Sequence, residues 1–290
     1  MYPGQFEYHS AASIKDALDL LKRYGDDAKL LSGGHSLIPM MKLRLAQPAH
    51  LIDVTKIAEM RAISESNGKI VIGAAAAHDT VANSSLVRDK LGLLAEAAAA
   101  IGDVQVRNRG TIGGSLTHAD PAADYPAAVL ALEGEIKLER EGGARTVKAA
   151  DFFLDLMTTA VQPGELLSQI SFAPIPAGAG YSYQKYPHPA SGFAMVGVAA
   201  LLSLDRSGKI ASARVGVTGL GPKAFRASAV EAALAGKSAD AATIAAAATK
   251  TADGIDALGD IHASSEYRAE LARVYARRAI QAAVARAKAR

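Results

Sequence analysis

The sequence predicts an α+β fold, and three features carry that reading. The chain has 290 residues, enough for about two domains. A run rich in Pro and Gly, Ala173-Pro174-Ile175-Pro176-Ala177-Gly178-Ala179-Gly180, marks a linker. Beyond it, three strand-like segments come first and three helical ones follow, the order of a small antiparallel sheet with helices rather than of alternating βα units. The expected domains are 1–176 and 177–290, with the first splitting into subdomains of about 1–55 and 56–176.

The elements follow in order. Ala12–Tyr24 predicts a helix, with Ser13 to cap it, Ala17, Leu18 and Leu21 as its apolar stripe, and Gly25 to end it. Lys29–Leu31 and Leu51–Val54 predict short strands. Ala62–Ser64 and Lys69–Ile72 flank Ser66-Asn67-Gly68 and predict a hairpin. Leu86–Ile101 predicts a single helix, followed by a loop that holds Thr111-Ile112-Gly113-Gly114-Ser115. Ala123–Leu132 predicts a short helix, Glu135–Glu139 and Arg145–Lys148 a hairpin, and Leu166–Phe172 a strand. After the linker, Tyr181–Tyr186, Val196–Leu204 and Ile210–Val217 predict strands. Ala224–Leu234, Ala239–Asp253 and Tyr267–Arg290 predict helices.

Composition excludes several functions. Cys is absent, so the chain holds no disulfide and no Cys-ligated zinc or iron–sulfur cluster. Apart from His35, the other six histidines are scattered with no ligand spacing, so no metal site is expected. The first residues lack the charge and apolar core of a signal peptide. The longest apolar stretch, Gly192–Leu202, is too short to span a bilayer. Net charge is +3, too weak and mixed to indicate nucleic acid, and the Arg- and Lys-rich 268–290 segment reads as a helix with a solvated basic face. A cytoplasmic protein is expected.

Two glycine pairs carry the functional signal. Gly33-Gly34 lies between Ser32 and Ser36, and Gly113-Gly114 lies between Thr111 and Ser115. Without a Cβ, such backbone approaches a ligand closely, and its N–H groups form an anion site. Two such loops suit a pyrophosphate gripped from both sides; each alone also suits a tight turn. Neither is a P-loop or a Gly-x-Gly-x-x-Gly fingerprint. Gly219-Leu220-Gly221-Pro222-Lys223-Ala224 fits Gly-x-Gly-x-x-Ala, but its helix leads to no strand ending in an acidic residue, and Pro222 suits a plain helix start.

Taken together, Ser32-Gly33-Gly34-His35-Ser36-Leu37-Ile38-Pro39, the Gln105–Ser115 stretch and His118-Ala119-Asp120-Pro121-Ala122-Ala123-Asp124-Tyr125-Pro126 resemble the FAD-binding medium subunits of molybdenum hydroxylases, of the carbon-monoxide-dehydrogenase and xanthine-dehydrogenase type. The likeness runs along nearly the whole chain and includes Phe6-Glu7-Tyr8 and the Gly219–Pro222 turn. It implies a two-subdomain FAD-binding fold of the p-cresol methylhydroxylase and vanillyl-alcohol oxidase type, plus a C-terminal α+β domain. It also implies noncovalent FAD. By this resemblance Ser32, Gly33, Gly34, His35 and Ser36, with Thr111, Ile112, Gly113, Gly114 and Ser115, hold the pyrophosphate. Thr117 and Asp124 reach sugar or ribityl hydroxyls, Leu167 packs on the adenine side, and Lys185 approaches the flavin. Phe193 stands where relatives often carry Tyr beside the isoalloxazine, and Ser115 where many carry Asn. In another branch of the flavin superfamily a histidine placed like His35 is bonded covalently to FAD; the rest of this chain matches the unlinked branch.

The implied partners are a large subunit with the molybdenum cofactor and a small subunit with [2Fe-2S] clusters, arranged as a dimer of trimers, together with an external electron acceptor. No catalytic residue is expected on this chain, because the cofactor carries the redox chemistry. A stand-alone flavin oxidase and a flavin-free assembly module are the alternatives. The first needs a large substrate domain, and flavin colour distinguishes the second.

Overall fold

The computed structural model describes residues 2–289. Its first layer is a parallel sheet of β1 (Glu7–Ser10), β2 (Ala28–Leu31) and β3 (His50–Asp53), with β3 in the middle. The helix Ile14–Tyr24 connects β1 to β2. Ser13 caps it as expected, accepting from the Asp16 N–H at 3.1 Å, and Gly25 closes it at φ +50°.

The second layer is an antiparallel sheet. Its strands are β4 (Ile63–Ser66), β5 (Lys69–Gly73), β6 (Glu135–Arg140), β7 (Gly143–Lys148) and, after the small ribbon β8 (Phe153–Asp155) with β9 (Thr158–Thr159), β10 (Leu166–Phe172). The order is β4-β5-β10-β6-β7. Asn67 and Gly68 both take positive φ, 50° and 72°, as a two-residue hairpin turn of the expected kind requires. The helix expected over Leu86–Ile101 is two helices, Ser85–Lys90 and Gly92–Ala99, separated at Leu91. The physical reason lies in Gly92: a Cβ there would fall 2.1 Å from the Tyr181 hydroxyl. The chain turns at Leu91 and brings Gly92 against that ring.

The third layer is a sheet of β11 (Gly180–Pro187), β12 (Ala194–Leu204), β13 (Ile210–Thr218) and β14 (Phe225–Arg226). The long apolar stretch of the sequence falls on β12, and its composition follows from burial on both faces. Ala199 and Leu201 join the core of the first two layers, whereas Val196, Val198, Ala200 and Leu202 join the core under the C-terminal helices. The helix Ser265–Lys288 lies across β11 and β12. It meets Gly180 so closely that a Cβ would lie 1.9 Å from the Ala283 carbonyl oxygen. The Pro/Gly segment 173–179 is likewise held in place: the Ile175 N–H donates to Lys90 O at 2.8 Å, and Ala179 is buried.

The basic C-terminal helix departs from the expected solvated face at two arginines. Arg268 is buried and donates to the carbonyls of Met195 and Gly219, and it pairs with Asp260. Arg286 pairs with Glu96 and donates to Tyr181 O. Both tie the helix to the sheet beneath it. Gly219, in the sequence that mimics a dinucleotide fingerprint, is a structural turn at φ +81° whose N–H donates to Pro121 O at 2.7 Å.

Candidate cofactor-binding site

The carboxyl end of β2 runs directly into Ser32-Gly33-Gly34-His35-Ser36, and the short helix Leu37–Lys42 follows. The second glycine pair does not lie in a loop. Gly113 and Gly114 sit in the first turn of the helix Ile112–His118, which Thr111 caps by accepting from the Gly114 N–H at 3.2 Å. Two glycines weaken a helix by about 1 kcal/mol each, and a cap returns a similar amount. Gly113 is required by space: a Cβ there would lie 2.4 Å from Ala74 Cβ and 2.7 Å from Ala74 O.

The two glycine segments touch. A Cβ on Gly33 would fall 2.3 Å from Arg109 O and 2.6 Å from Gly110 Cα. Ser32 Oγ and Thr111 Oγ1 are 2.9 Å apart and share a hydrogen bond. Following each backbone N–H to its acceptor then separates their roles. Those of Ile112, Gly113, Gly114 and Ser115 donate to Ala76 O, Ala74 O, Thr111 Oγ1 and Thr111 O. Those of Gly33, Gly34, His35 and Ser36 have no acceptor among the described residues. With Gly34 at φ +76°, these successive N–H groups form a concave anion site. The expected pair of N–H cradles is therefore one cradle, on the first segment, facing a wall of hydroxyls on the second. Thr117 belongs to that wall: its Oγ1 donates to Gly113 O at 2.7 Å and keeps its lone pairs for a ligand.

Both segments open on a cavity of about 510 Å³. All the expected site residues line it except Ile112 and Lys185. Ile112 is fully buried and faces the core. Lys185, which the resemblance places near the flavin, donates from Nζ to Ala100 O at 2.8 Å and to Asp124 Oδ2 at 2.9 Å. Asp124 lines the cavity and pairs with Lys185. Asp124 is itself 3 % exposed, and its Oδ1 accepts from the Tyr183 hydroxyl at 2.6 Å. Burial pushes its carboxyl up to about 6, against the downward pull of Lys185 and Tyr183. Much of its acceptor capacity is thus spent inside the protein. Leu167, Phe193 and the side chains of Val54 and Met60 give the cavity its apolar walls. Phe193, 46 % exposed, ends a tight segment in which the His188 N–H donates to Phe193 O at 2.7 Å.

His78 also lines the cavity, and nothing in the sequence marked it. Its N–H donates to Gly110 O, and Gly110 packs on its ring, where a Cβ would lie 2.5 Å from Nε2. Nδ1 is buried with no partner among the described residues. Burial, reinforced by His35 and Arg107, depresses the imidazole to about 4, so it is neutral at pH 7. A run of unpaired backbone N–H groups, a glycine contact too close for any Cβ, an orphaned buried imidazole nitrogen and apolar walls suit a ligand with both phosphates and a planar ring system. FAD has that chemistry.

Comparison with known proteins decides the family. Residues 4–176 match the family model described as the FAD binding domain in molybdopterin dehydrogenase, and residues 181–283 match the CO dehydrogenase flavoprotein C-terminal domain. The chain belongs to the FAD-binding flavoprotein family of the molybdopterin dehydrogenases. Within that family it is 40% identical over 287 residues to the carbon monoxide dehydrogenase medium chain of Hydrogenophaga pseudoflava, covering 99% of each chain. It is 35% identical to the 6-hydroxypseudooxynicotine dehydrogenase complex subunit alpha of Paenarthrobacter nicotinovorans, covering 99% of this chain and 97% of that one. The solved structure of carbon monoxide dehydrogenase from Hydrogenophaga pseudoflava superposes with a TM-score of 0.96 at 42% identity over 99% of each chain. The flavoprotein resemblance and the α+β architecture read from the sequence are borne out. No helix among the described residues is long and apolar enough to cross a membrane.

Proposed function

We propose that this chain is the medium subunit of a molybdenum hydroxylase, carrying one FAD noncovalently and relaying electrons from iron–sulfur clusters on a small partner to an external acceptor. The observation that carries this reading is the row of free N–H groups from Gly33 to Ser36, held against the Thr111–Ser115 helix start at the mouth of one cavity, in a chain of this family. When bound, FAD supplies the redox chemistry that no side chain here provides. The protein binds and orients it. Ser32, Gly33, Gly34, His35 and Ser36 hold the pyrophosphate with backbone N–H groups; Thr111, Gly113, Gly114, Ser115 and Thr117 flank it. Leu167 and Phe193 cover ring surfaces and exclude water, and Asp124 offers its remaining lone pairs to ligand hydroxyls. His35 Nδ1 lies 3.2 Å from Gly33 O, a contact that supports a loop-closing role rather than a covalent link.

The functional division is 1–176 for FAD binding and 177–290 for the C-terminal domain, in keeping with the bounds of the two family matches. The absence of Cys puts the [2Fe-2S] clusters on another chain, and the molybdenum cofactor belongs to a large subunit, the whole forming a cytoplasmic dimer of trimers. The relatives are named for different oxidations, of carbon monoxide and of a nicotine derivative, which supports assigning substrate choice to the large subunit.

Acid precipitation of the purified chain tests cofactor identity and linkage together. The expected result is FAD in the supernatant, about one per chain. FMN in the supernatant would overturn the pyrophosphate reading, and a yellow pellet would overturn the noncovalent one.

A further inference from the structure

The parallel sheet brings together a second set of chemistry-bearing side chains that do not line the cavity. The cavity sits outside the carboxyl ends of these strands, where Ser32 follows β2 and Val54 follows β3. The register pairs Glu7, the first residue of β1, with His50, the first residue of β3. His9 lies two residues beyond Glu7, one short of the end of β1, and so projects from the same face of the sheet. The outcome is a cluster of three ligand-type groups that the sequence hides, because forty residues of chain separate the first two from the third.

We propose that Glu7, His9 and His50 form a binding site for a divalent transition-metal ion of the zinc class. His9 Nε2 and His50 Nδ1 are 3.1 Å apart. Glu7 Oε2 is 3.5 Å from His50 Nδ1 and 3.9 Å from His9 Nε2. A tetrahedral zinc ion with bonds of about 2.0–2.1 Å has ligand–ligand edges of about 3.3 Å. The three donors therefore stand near the corners such an ion needs, and small side-chain rotations complete the fit. The imidazoles are also held in place. The Tyr24 ring stacks on His50 with centroids 3.8 Å apart and on His9 at 4.8 Å. Both histidine side chains are about one-fifth exposed and Glu7 is largely exposed, so an ion can enter and keep water at its fourth position. Two imidazoles and a carboxylate select zinc, nickel or copper over magnesium and calcium, which favour all-oxygen sites. An ion there ties the edge strand β1 to the central strand β3 and stabilises the amino-terminal layer.

The test uses the full chain without a polyhistidine tag. Zinc is titrated in competition with a chromophoric chelator, and cobalt is added as a spectroscopic probe. The expected results are one zinc per chain, the visible bands of tetrahedral cobalt, and a rise in unfolding temperature on adding zinc. His9→Gln and His50→Gln should each weaken zinc binding about tenfold or more, as loss of about 1.4 kcal/mol or more of binding energy would. FAD content should be unchanged in both, which keeps this result independent of the cofactor reading. Circular dichroism checks that each variant is folded, and Glu7→Gln, at an exposed position, provides a third variant that preserves packing. Zinc binding unaffected in all three variants, or no stoichiometric binding by the unaltered chain, would overturn the proposal and leave the pair as a histidine–histidine hydrogen bond.

Discussion

Gly114→Val is expected to give a folded chain that no longer retains FAD. Gly114 is exposed and lines the cavity, and a Cβ there would meet only the Thr111 hydroxyl oxygen, at 2.8 Å. Valine therefore disturbs the cap and fills the space beside the N–H cradle without striking the core. Overpacking of this kind costs about 3 kcal/mol at its upper range, a loss of roughly a hundredfold in affinity. Gly113→Val is the contrasting variant. Its Cβ would collide with the Ala74 backbone, so it should impair folding itself. The flavin-to-protein absorbance ratio and far-UV circular dichroism of both variants separate the two effects. Full flavin content in Gly114→Val would mean that this helix start is only a structural turn.

Lys185→Met is expected to destabilise the chain by about 3–5 kcal/mol at neutral and alkaline pH, the usual consequence of leaving a buried charge without its partner. The loss should shrink on acidification. Burial pushes the Asp124 carboxyl up to about 6 in the folded chain, above its ordinary 3.8. The native state thus binds more protons than the unfolded state between those values, so this group's contribution is greatest at low pH and falls as pH rises through about 6. Without Lys185 the carboxyl holds its proton to still higher pH, and the gap between variant and parent widens toward alkaline pH. His78, depressed to about 4 from 6.5, contributes the opposite slope over that range, but equally in both proteins, so it cancels in their difference. Urea unfolding at pH 5 and pH 8 checks this. Asp124→Asn combined with Lys185→Met should recover part of the loss, and an equal loss at both pH values would remove the ion pair as its cause.

These two variants also show what the sequence discloses. The glycine pairs and their flanking hydroxyls were legible, because the space and hydrogen bonding they serve restrict residue type locally. Three strands of the third layer were legible, the expected segments 181–186, 196–204 and 210–217 falling on β11, β12 and β13. The Ile112–His118 helix was not, because two glycines lower helix propensity and the compensation comes from Thr111 and from Ala74, which lies on a different segment. The pairing of Lys185 with Asp124 was not legible either. It depends on the side chains of Tyr183 and Lys185 on β11 reaching Asp124 at the start of the helix Tyr125–Ala131, a tertiary event with no local signature. His78 and the His9–His50 pair were missed because their neighbours come from distant parts of the chain: Gly110 packs on the His78 ring, and parallel strand register sets His50 beside His9, neither of which spacing along the chain reports. Burial of both faces of β12 likewise appeared in the sequence only as a long apolar run.

Electrons are expected to reach the flavin of this chain only through a partner. The most direct measurement is anaerobic bleaching of the visible flavin band, followed first in the isolated FAD-loaded chain and then in the complex co-expressed with the neighbouring genes. Carbon monoxide, an aldehyde and an N-heterocycle serve as trial reductants. The expected result is no substrate-dependent bleaching in the isolated chain and rapid bleaching in the complex by one of these compounds. Bleaching of the isolated chain by any of them would contradict it, because the chain would then oxidise a substrate by itself.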